Sequence, residues 1–457
     1  MFSLRNTPTI LAPGFAYAGK PHAASHVEFL HDDTWVDPTG CRHVSQSIFD
    51  EVFRLIDQAR HLVLLDMFLF NNFQGKQPET TRTLAAELTT RLIHQKNRFP
   101  DITIIVITDP INTVYGSLPS PYLQHLRQHN IVVHITDLNR LPDSNPAYSW
   151  IWRLLIKPFG NARAQTLPNP FGAGRVSLRS WLRLLNFKAN HRKVLITDQN
   201  DQWVGLVTSG NAHDGSSAHS NVALRFDGDT VMDLYHSELA VLGLSTATAT
   251  GETIPDQPVD PGTYQLQLVT ERRIKEAALT LINAAQAVDA VDIMMFYLAD
   301  REIVNAIKAA QQRGVNVRLL LDPNKDAFGF SKNGIPNRPV AQELHQAGVA
   351  IRWCDTHGEQ CHTKMLLARF DDGHGSLLLG SANFTRRNLN DLNLETDVLL
   401  KAPSNSQPLA AAKQLFDDYW QNTTDRQYSV AYAHYADPSR LRYWLYRVQE
   451  ATGMSSF

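Results

Sequence analysis

Two short segments of the chain each pair a histidine with a lysine two residues later. They are His191-Arg192-Lys193 and His362-Thr363-Lys364. An apolar run follows each segment, at residues 194–196 in the first case, and such a run predicts a β-strand. Residues two apart on a strand share a face, so each histidine and its lysine should point the same way. The pattern therefore presents a base together with a cation, twice in one chain.

Each of these segments is followed, 18 or 19 residues after its histidine, by a Ser-x-Asn motif: Ser209 and Asn211 in the first case, Ser381 and Asn383 in the second. A turn and a second apolar run lie between, which is the pattern of a β-hairpin. The hairpin would return the serine and asparagine beside the histidine and lysine. Because the whole block occurs twice, we predict two similar halves that share one active site.

The paired motifs resemble those of the phospholipase D superfamily, whose members include phospholipases D, bacterial cardiolipin and phosphatidylserine synthases, and several nucleases. The resemblance implies a phosphodiesterase or phosphatidyltransferase that acts on membrane glycerophospholipids through a covalent phosphohistidine. Attack of water on this intermediate would complete a hydrolysis, and attack of an alcohol would complete a transfer. No metal or other cofactor is expected, because six residues are expected to bind the phosphate: the donors Lys193, Lys364, Asn211 and Asn383, and the hydroxyls of Ser209 and Ser381.

The carboxylates that would orient the histidines differ between the two copies. The second copy has Glu395 in Asn393-Leu394-Glu395, which matches the family's downstream glutamate, whereas the first copy reads Asn221-Val222-Ala223. Conversely, Asp198 follows the first motif at the family spacing, and the second copy has Arg369 there.

A carboxylate on the far imidazole nitrogen fixes the tautomer and stabilises a cationic ring. We therefore predict that Glu395 supports His362 as the nucleophile. His191 would then be the acid, with Asp214 as an alternative carboxylate partner for it.

Strand-like and helical patterns alternate through both halves. In the first half, helices are predicted near 45–59, 80–95 and 122–129, and strands at 61–70, 102–108 and 131–136. The second half repeats this order from 264 to 353. The alternation predicts an α/β fold in which each half is a mixed, mostly parallel sheet flanked by helices. The predicted organisation is a first half at 1–244, a linker at 245–262, a second half at 263–424 and a C-terminal amphipathic helix within 425–457.

The first half carries an insertion at residues 138–186. Residues 144–197 contain no Asp or Glu but nine Lys or Arg, interleaved with Trp, Phe, Leu and Ile. Cationic and aromatic residues together are typical of a segment that lies on anionic lipid. Alternatively, the apolar face packs on the protein and the basic residues are solvated. The predicted membrane contacts are Trp150, Trp152, Arg153, Lys157, Phe159 and Trp181.

A further amphipathic helix is predicted between Pro438 and Gly453. One of its faces carries Leu441, Trp444, Leu445 and Val448, with Arg440 and Arg447 near the border. A lone amphipathic helix usually docks on its own domain, so we expect this face to pack against the core.

Composition limits the alternatives. The formal charge of −2 over 457 residues disfavours a nuclease, the main alternative function, because nucleic-acid binding would require a local basic patch. Three cysteines are too few for a disulfide framework, and no apolar run is long enough to span a bilayer. The expected partners are a phospholipid substrate and an anionic membrane surface. By resemblance, we expect a peripheral protein on the cytoplasmic face of a bacterial inner membrane.

Overall fold

The computed structural model describes residues 11–12, 14–75, 77–78, 80–159, 164–200, 202–245, 264–455 and 457. Up to residue 245 the strands are β1 His22–Ala24, β2 Val27–Val36, β3 Arg42–Ser45, β4 Leu62–Met67, β5 Phe70–Asn71, β6 Thr103–Thr108, β7 Val132–Ile135, β8 Gln165–Pro168, β9 Arg175–Ser177, β10 Lys193–Gln199, β11 Gln202–Thr208, β12 Ala212–His213 and β13 Asn221–Phe226. The α-helices of this part are α1 Ile48–Gln58, α2 Leu84–Arg98, α3 Pro121–Gln128, α4 Pro146–Ile151, α5 Leu178–Leu184 and α6 Thr230–Ser245.

From residue 264 the strands are β14 Tyr264–Thr270, β15 Ala290–Met295, β16 Asn316–Leu321, β17 Asp326–Ala327, β18 Phe330–Ser331, β19 Ala350–Cys354, β20 Lys364–Arg369, β21 His374–Gly380, β22 Thr396–Pro403 and β23 Ser429–Ala431. The α-helices are α7 Arg272–Ala284, α8 Arg301–Gln312, α9 Asn337–Gln346, α10 Arg386–Leu389, α11 Gln407–Gln421 and α12 Arg440–Thr452.

Two large sheets share one topology. The first has the order β3-β2-β13-β11-β10-β4-β6-β7 and the second β1-β14-β22-β21-β20-β15-β16-β19-β23. Seven consecutive strands correspond, from β2 to β7 and from β14 to β19, and each pair of neighbours has the same relative direction in both sheets. The α/β fold built as an internal repeat agrees with the prediction.

The prediction that the sheets are mostly parallel is wrong. Only β4-β6-β7 and β15-β16-β19 run parallel, and the other large-sheet pairs are antiparallel. The reason is that the two His-x-Lys segments each open a hairpin, β10–β11 and β20–β21, whose short turn forces antiparallel pairing. Parallel pairing occurs where a helix provides the crossover.

The sheets pack face to face with helices outside. On β10, Val194 and Ile196 enter the core between the sheets, whereas Leu195 faces the core shared with α1 and α2. Met365 and Leu367 of β20 enter the same central core. This alternation follows from the two-residue period of a strand, and it explains why both strands read as continuous apolar runs.

The predicted domain boundaries stay predictions. The linker expected at 245–262 lies, from residue 246 on, outside the described residues. The division into two halves is not strictly sequential. Strand β1 pairs with β14 and β23 pairs with β19, so short segments from both ends of the chain extend the second sheet.

The C-terminal helix α12 does not pack as predicted, because the face that was expected to contact the core is exposed. Leu441 is 79% exposed and Trp444 63% exposed, and Leu445 and Val448 are exposed as well. The opposite face docks instead, because the Tyr446 hydroxyl donates to the Ala299 carbonyl at 3.0 Å and the buried Glu450 accepts from the Arg386 N–H at 2.8 Å. Polar anchors, which a hydrophobic pattern does not reveal, decide how this helix sits.

Two of the three cysteines form a disulfide. Cys354 ends β19, Cys361 precedes His362, and their Cα atoms lie 6.2 Å apart, within the usual range for such a bond. The expectation of no disulfide framework did not anticipate this local bridge. Among the described residues, no helix is long and apolar enough to cross a bilayer.

Candidate active site

The two halves meet at reciprocal backbone hydrogen bonds that hold each histidine against the opposite sheet. The His191 N–H donates to the Leu394 carbonyl and the His362 N–H donates to the Ser220 carbonyl, both at 2.9 Å. Ser220 directly precedes β13, and Leu394 lies two residues before β22. Consequently the next residue after each of these carbonyls places its side chain against the imidazole of the opposite half.

These following residues are Glu395 and Asn221, and they differ chemically. Glu395 Oε2 lies 2.9 Å from His191 Nδ1, whereas Asn221 Oδ1 lies 3.1 Å from His362 Nδ1. The prediction that Glu395 supports His362 is therefore wrong, since the carboxylate crosses to the histidine of the other half. Asn221 is also the counterpart of Glu395, so the position assigned to Ala223 was misplaced by two residues.

A phenylalanine packs on each histidine. Phe68 follows β4 and its ring centroid lies 4.7 Å from that of His191, while Phe296 follows β15 and lies 4.9 Å from His362. The same rings cover the ammonium groups of Lys193 and Lys364 at 5.1 and 5.2 Å. An aromatic ring therefore covers one side of each His–Lys pair and excludes water from that side.

Both lysines are buried and each donates to the backbone carbonyl of its own histidine, at 2.6 Å for Lys193 and 2.8 Å for Lys364. Burial lowers the pKa of Lys193 to about 7, although Glu395 and Asp66 oppose the shift. Burial and the charge of Lys193 lower the pKa of Lys364 as well. The free site therefore disfavours the charged form of both lysines, and an anionic ligand would stabilise that form.

The electrostatics of the histidines follow from the same burial. Burial and then the two lysine charges lower the pKa of His191 well below its usual range, and burial with Lys364 does the same for His362. Burial raises the pKa of Glu395, against the charge of Lys193 and hydrogen bonds from Ser381 and Asn388.

Asn211 and Asn383 line a cavity onto which both histidines also open. Asn211 Oδ1 accepts from the Leu69 N–H at 3.3 Å, and Asn383 Oδ1 is buried with no hydrogen-bond partner among the residues described. Ser209 and Ser381 do not line the cavity. Ser209 Oγ donates to Asn221 at 3.1 Å and Ser381 Oγ donates to Glu395. Their predicted phosphate contacts are thus wrong, because the hydroxyls hold the residues that support the histidines.

Asp198, predicted as catalytic, lies at the far end of β10. Its carboxylate accepts from the backbone N–H groups of Arg60, His61 and Leu62 at 2.9–3.2 Å, where β4 begins. It therefore anchors two neighbouring strands. Asp214, the alternative partner for His191, accepts from the Ala85 N–H at the start of α2 instead.

The histidines open onto a cavity of about 430 Å³. Its wall is largely aromatic and includes Phe68, Phe73, Tyr115, Phe171, Phe187, Phe296, Tyr297, Phe328 and Phe330. Lys188, Lys332 and Arg387 also line it. A predominantly apolar cavity with polar groups converging at one end suits a ligand that has a phosphate and a hydrocarbon part.

The insertion lies beside this cavity, and its predicted membrane residues separate into two groups. Trp150 and Phe159 are 55% and 72% exposed, and Lys157 is exposed. Trp152 is buried under the guanidinium of Arg179, so its predicted membrane contact is wrong. Arg153 pairs with Asp143 at 2.7 Å, and the Trp181 indole donates to the Pro168 carbonyl at 2.8 Å. These contacts give both residues structural roles.

Sequence reasoning missed four residues at the site. Phe68 and Phe296 follow the corresponding strands of the two halves and could have been found by aligning the repeat. Asn221 was obscured because the loop from Ser381 to Glu395 is two residues longer than that from Ser209. His219, whose ring lies 5.7 Å from that of His362, had no local signal.

Comparison with known proteins gives a family match in the second half. Residues 278–420 match the family described as cardiolipin synthase, PLD-like domain. A cardiolipin synthase from Listeria welshimeri serovar 6b is 26% identical over 198 residues. That match covers 39% of this chain and 40% of the synthase's own length.

A solved structure shares the fold over nearly the whole chain. It is the crystal structure of phosphatidylserine synthase from Haemophilus influenzae Rd KW20, with a TM-score of 0.59 and 10% sequence identity. The comparison covers 95% of this chain and 96% of that one. At this identity the likeness concerns the fold alone.

Proposed function

Because the chain is a member of the phospholipase D superfamily, we propose that it is a phosphatidyltransferase or phosphodiesterase that acts on membrane glycerophospholipids. The observation that carries the proposal is that His191 and His362, one from each half, line one cavity, and that a buried lysine donates to the backbone carbonyl of each histidine. Two histidines in one site can divide the work of nucleophile and acid that phosphodiester cleavage requires. An alcohol acceptor would make the protein a transferase of the cardiolipin synthase kind, and water a phospholipase D.

His191 is the proposed nucleophile, which reverses the assignment made from the sequence. When its Nδ1 donates to the Glu395 carboxylate, the lone pair of Nε2 is free to attack phosphorus. The new P–N bond forms as the P–O bond to the leaving alcohol breaks. The resulting phosphohistidine has a cationic ring, and Glu395 supplies the opposite charge beside it.

His362 is the proposed acid and base. It protonates the departing alkoxide and then takes a proton from the incoming water or alcohol, which attacks phosphorus and releases His191. Its Nδ1 partner is the neutral amide of Asn221, which orients the ring without stabilising its charge as strongly. A group that must both give up and regain a proton suits that weaker support.

The ammonium groups of Lys193 and Lys364 and the amides of Asn211 and Asn383 are the proposed donors to the non-bridging oxygens. A phosphodiester brings a negative charge into a site where burial has depressed both lysine pKa values. Binding therefore raises these pKa values and holds the lysines in the charged form that the transition state requires.

The cavity wall favours a lipid over a nucleic acid. Aromatic rings could stack on bases, but the cavity also includes Leu69, Ile111 and Leu184, and the neighbouring insertion exposes Leu154 and Leu155. Such aliphatic surface suits acyl chains. The insertion is accordingly the proposed membrane contact, through Trp150, Phe159 and the exposed Lys157.

The experiment that tests this function identifies products. The purified protein is incubated with vesicles that contain phosphatidylglycerol, with and without a primary alcohol, and the lipids are analysed by mass spectrometry. Phosphatidic acid indicates hydrolysis, and a phosphatidyl-alcohol or a lipid with two phosphatidyl groups indicates transfer. The double variant His191→Ala, His362→Ala is the control. Formation of none of these products, with phosphodiester cleavage of DNA or RNA instead, would refute the proposal.

A further inference from the structure

Helix α12 presents an apolar face that nothing in the described chain covers. Leu441 lies three and four residues before Trp444 and Leu445, and Val448 lies four and three residues after them, so the four residues form one stripe, and all are exposed. Met454, just past the helix, is exposed as well. A contiguous set of large exposed apolar side chains is uncommon on a protein surface and marks a place of contact.

The charges on the helix indicate which kind of surface this face meets. Arg440 and Arg447 flank the stripe, and Arg442 pairs with Asp437 at 2.6 Å. The only acid within the helix, Glu450, is buried against α10. The exposed side of α12 is therefore apolar with a net positive border, the combination that binds the interface of an anionic bilayer.

The position of α12 links it to the cavity and to the insertion. Gly453, which ends the helix, packs directly on the carbonyl of Ser144, where the acid-free stretch begins. Arg387, which lines the cavity, donates to the carbonyl of Ser455, and Phe457 contributes to the cavity wall. The exposed apolar stripe therefore lies on a helix whose C-terminal end is followed directly by residues at the cavity.

We propose that the exposed face of α12 docks on an anionic lipid bilayer and forms, together with the exposed residues of the insertion, the surface from which lipid reaches the cavity. The inference rests on the proposed function, because it supplies a route for the same substrate. It adds a second membrane element, about 300 residues away in sequence from the insertion. Because both elements adjoin the cavity, a lipid could pass from the bilayer without crossing water.

The test uses the full-length quadruple variant Leu441→Gln, Trp444→Gln, Leu445→Gln, Val448→Gln. All four side chains are exposed, so the fold should survive, and thermal unfolding checks that it does. The matched control is Val288→Gln, because Val288 is 73% exposed and lies in the turn before β15, outside both α12 and the insertion. Binding is measured by co-sedimentation with vesicles of equimolar phosphatidylglycerol and phosphatidylcholine, and activity is measured on those vesicles and on a monomerically dispersed short-chain phosphatidylglycerol.

We expect the quadruple variant to bind vesicles roughly tenfold or more weakly, since four apolar side chains no longer enter the interface. Its activity on vesicles should fall in parallel, and its activity on the dispersed lipid should equal that of wild type. The Val288→Gln control should match wild type throughout. Unchanged vesicle binding by the quadruple variant would overturn the proposal.

Two further outcomes separate the alternatives. If the wild-type protein is a dimer in lipid-free sedimentation and the quadruple variant is a monomer, the face belongs to a second copy and the proposal is wrong. If no lipid product forms with any variant but vesicle binding still depends on the four residues, the proposed function fails while the docking surface stands. The binding assay therefore distinguishes the two failures.

Discussion

Replacing Glu395 by Gln tests the proposed division of labour between the histidines. The carboxylate lies 2.9 Å from His191 Nδ1 and is buried, so no water can replace it. Gln keeps the shape and one acceptor but removes the charge that would balance a cationic phosphohistidine. We expect the formation of the covalent intermediate to slow, with little change in fold.

The size of the effect follows from the difference between charged and neutral hydrogen bonds. A hydrogen bond to a charged group contributes about 1.5–3 kcal/mol and a neutral one about 0.5–1.5 kcal/mol. The difference is about 1–1.5 kcal/mol, so at 1.36 kcal/mol per factor of ten Glu395→Gln should slow the step about 5- to 13-fold. Asn221→Ala, which removes only a neutral partner from His362, should cost about 2- to 10-fold.

The assay is a single-turnover reaction on a dispersed short-chain phosphatidyl substrate labelled on phosphorus. A denaturing quench at increasing times, followed by peptide mapping, measures how fast and on which histidine the label accumulates. We expect the label on the peptide that contains His191. Far-ultraviolet circular dichroism and thermal unfolding of both variants confirm that the comparison is between folded proteins.

Label on the His362 peptide would refute the proposed roles. Formation of the intermediate by Glu395→Gln at the wild-type rate would mean that the charge of the carboxylate has no catalytic part.

The other predictions concern the shared site, its charge and its membrane contact. His191→Ala and His362→Ala should each abolish turnover on every substrate, and near-full activity of either variant in the product assay would contradict a site built from both halves. Because the pKa of Lys193 is lowered to about 7, this lysine loses its charge as the pH rises through 7, so kcat/KM on a soluble phosphodiester should fall above that pH. Lys193→Arg should reduce this fall and leave only the part due to Lys364, whose pKa is lowered as well, and an unchanged pH profile would contradict the role of Lys193. Chelators should leave the rate unchanged, since lysine and asparagine donors serve the phosphoryl oxygens, and recovery by one specific ion after chelation would contradict this. Trp150→Ala with Phe159→Ala should weaken vesicle binding but spare a soluble substrate, whereas a nuclease would show a steep salt dependence governed by its Lys and Arg residues.

Much of the fold was predictable because it depends on local spacing. The helix predicted near 122–129 is α3 at Pro121–Gln128, and the strand predicted at 102–108 is β6, shorter by one residue. Both hairpins occur where the doubled His-x-Lys and Ser-x-Asn blocks predict them. The spacing of apolar residues along the chain has a period of two in strands and 3.6 in helices, so the sequence itself determines these elements and the repeat.

Only the tertiary structure decided which side chains meet. Glu395 reaches His191 across 204 residues because the two sheets pack face to face, and no local pattern records that crossing. The hydroxyl of Ser381 turns to Glu395 for the same reason, since a buried carboxylate needs donors. The hydrogen bonds of Tyr446 and Glu450 determine which face of α12 packs on the protein. An amphipathic pattern specifies that a helix has an apolar face, but contacts with the rest of the fold specify whether that face is covered.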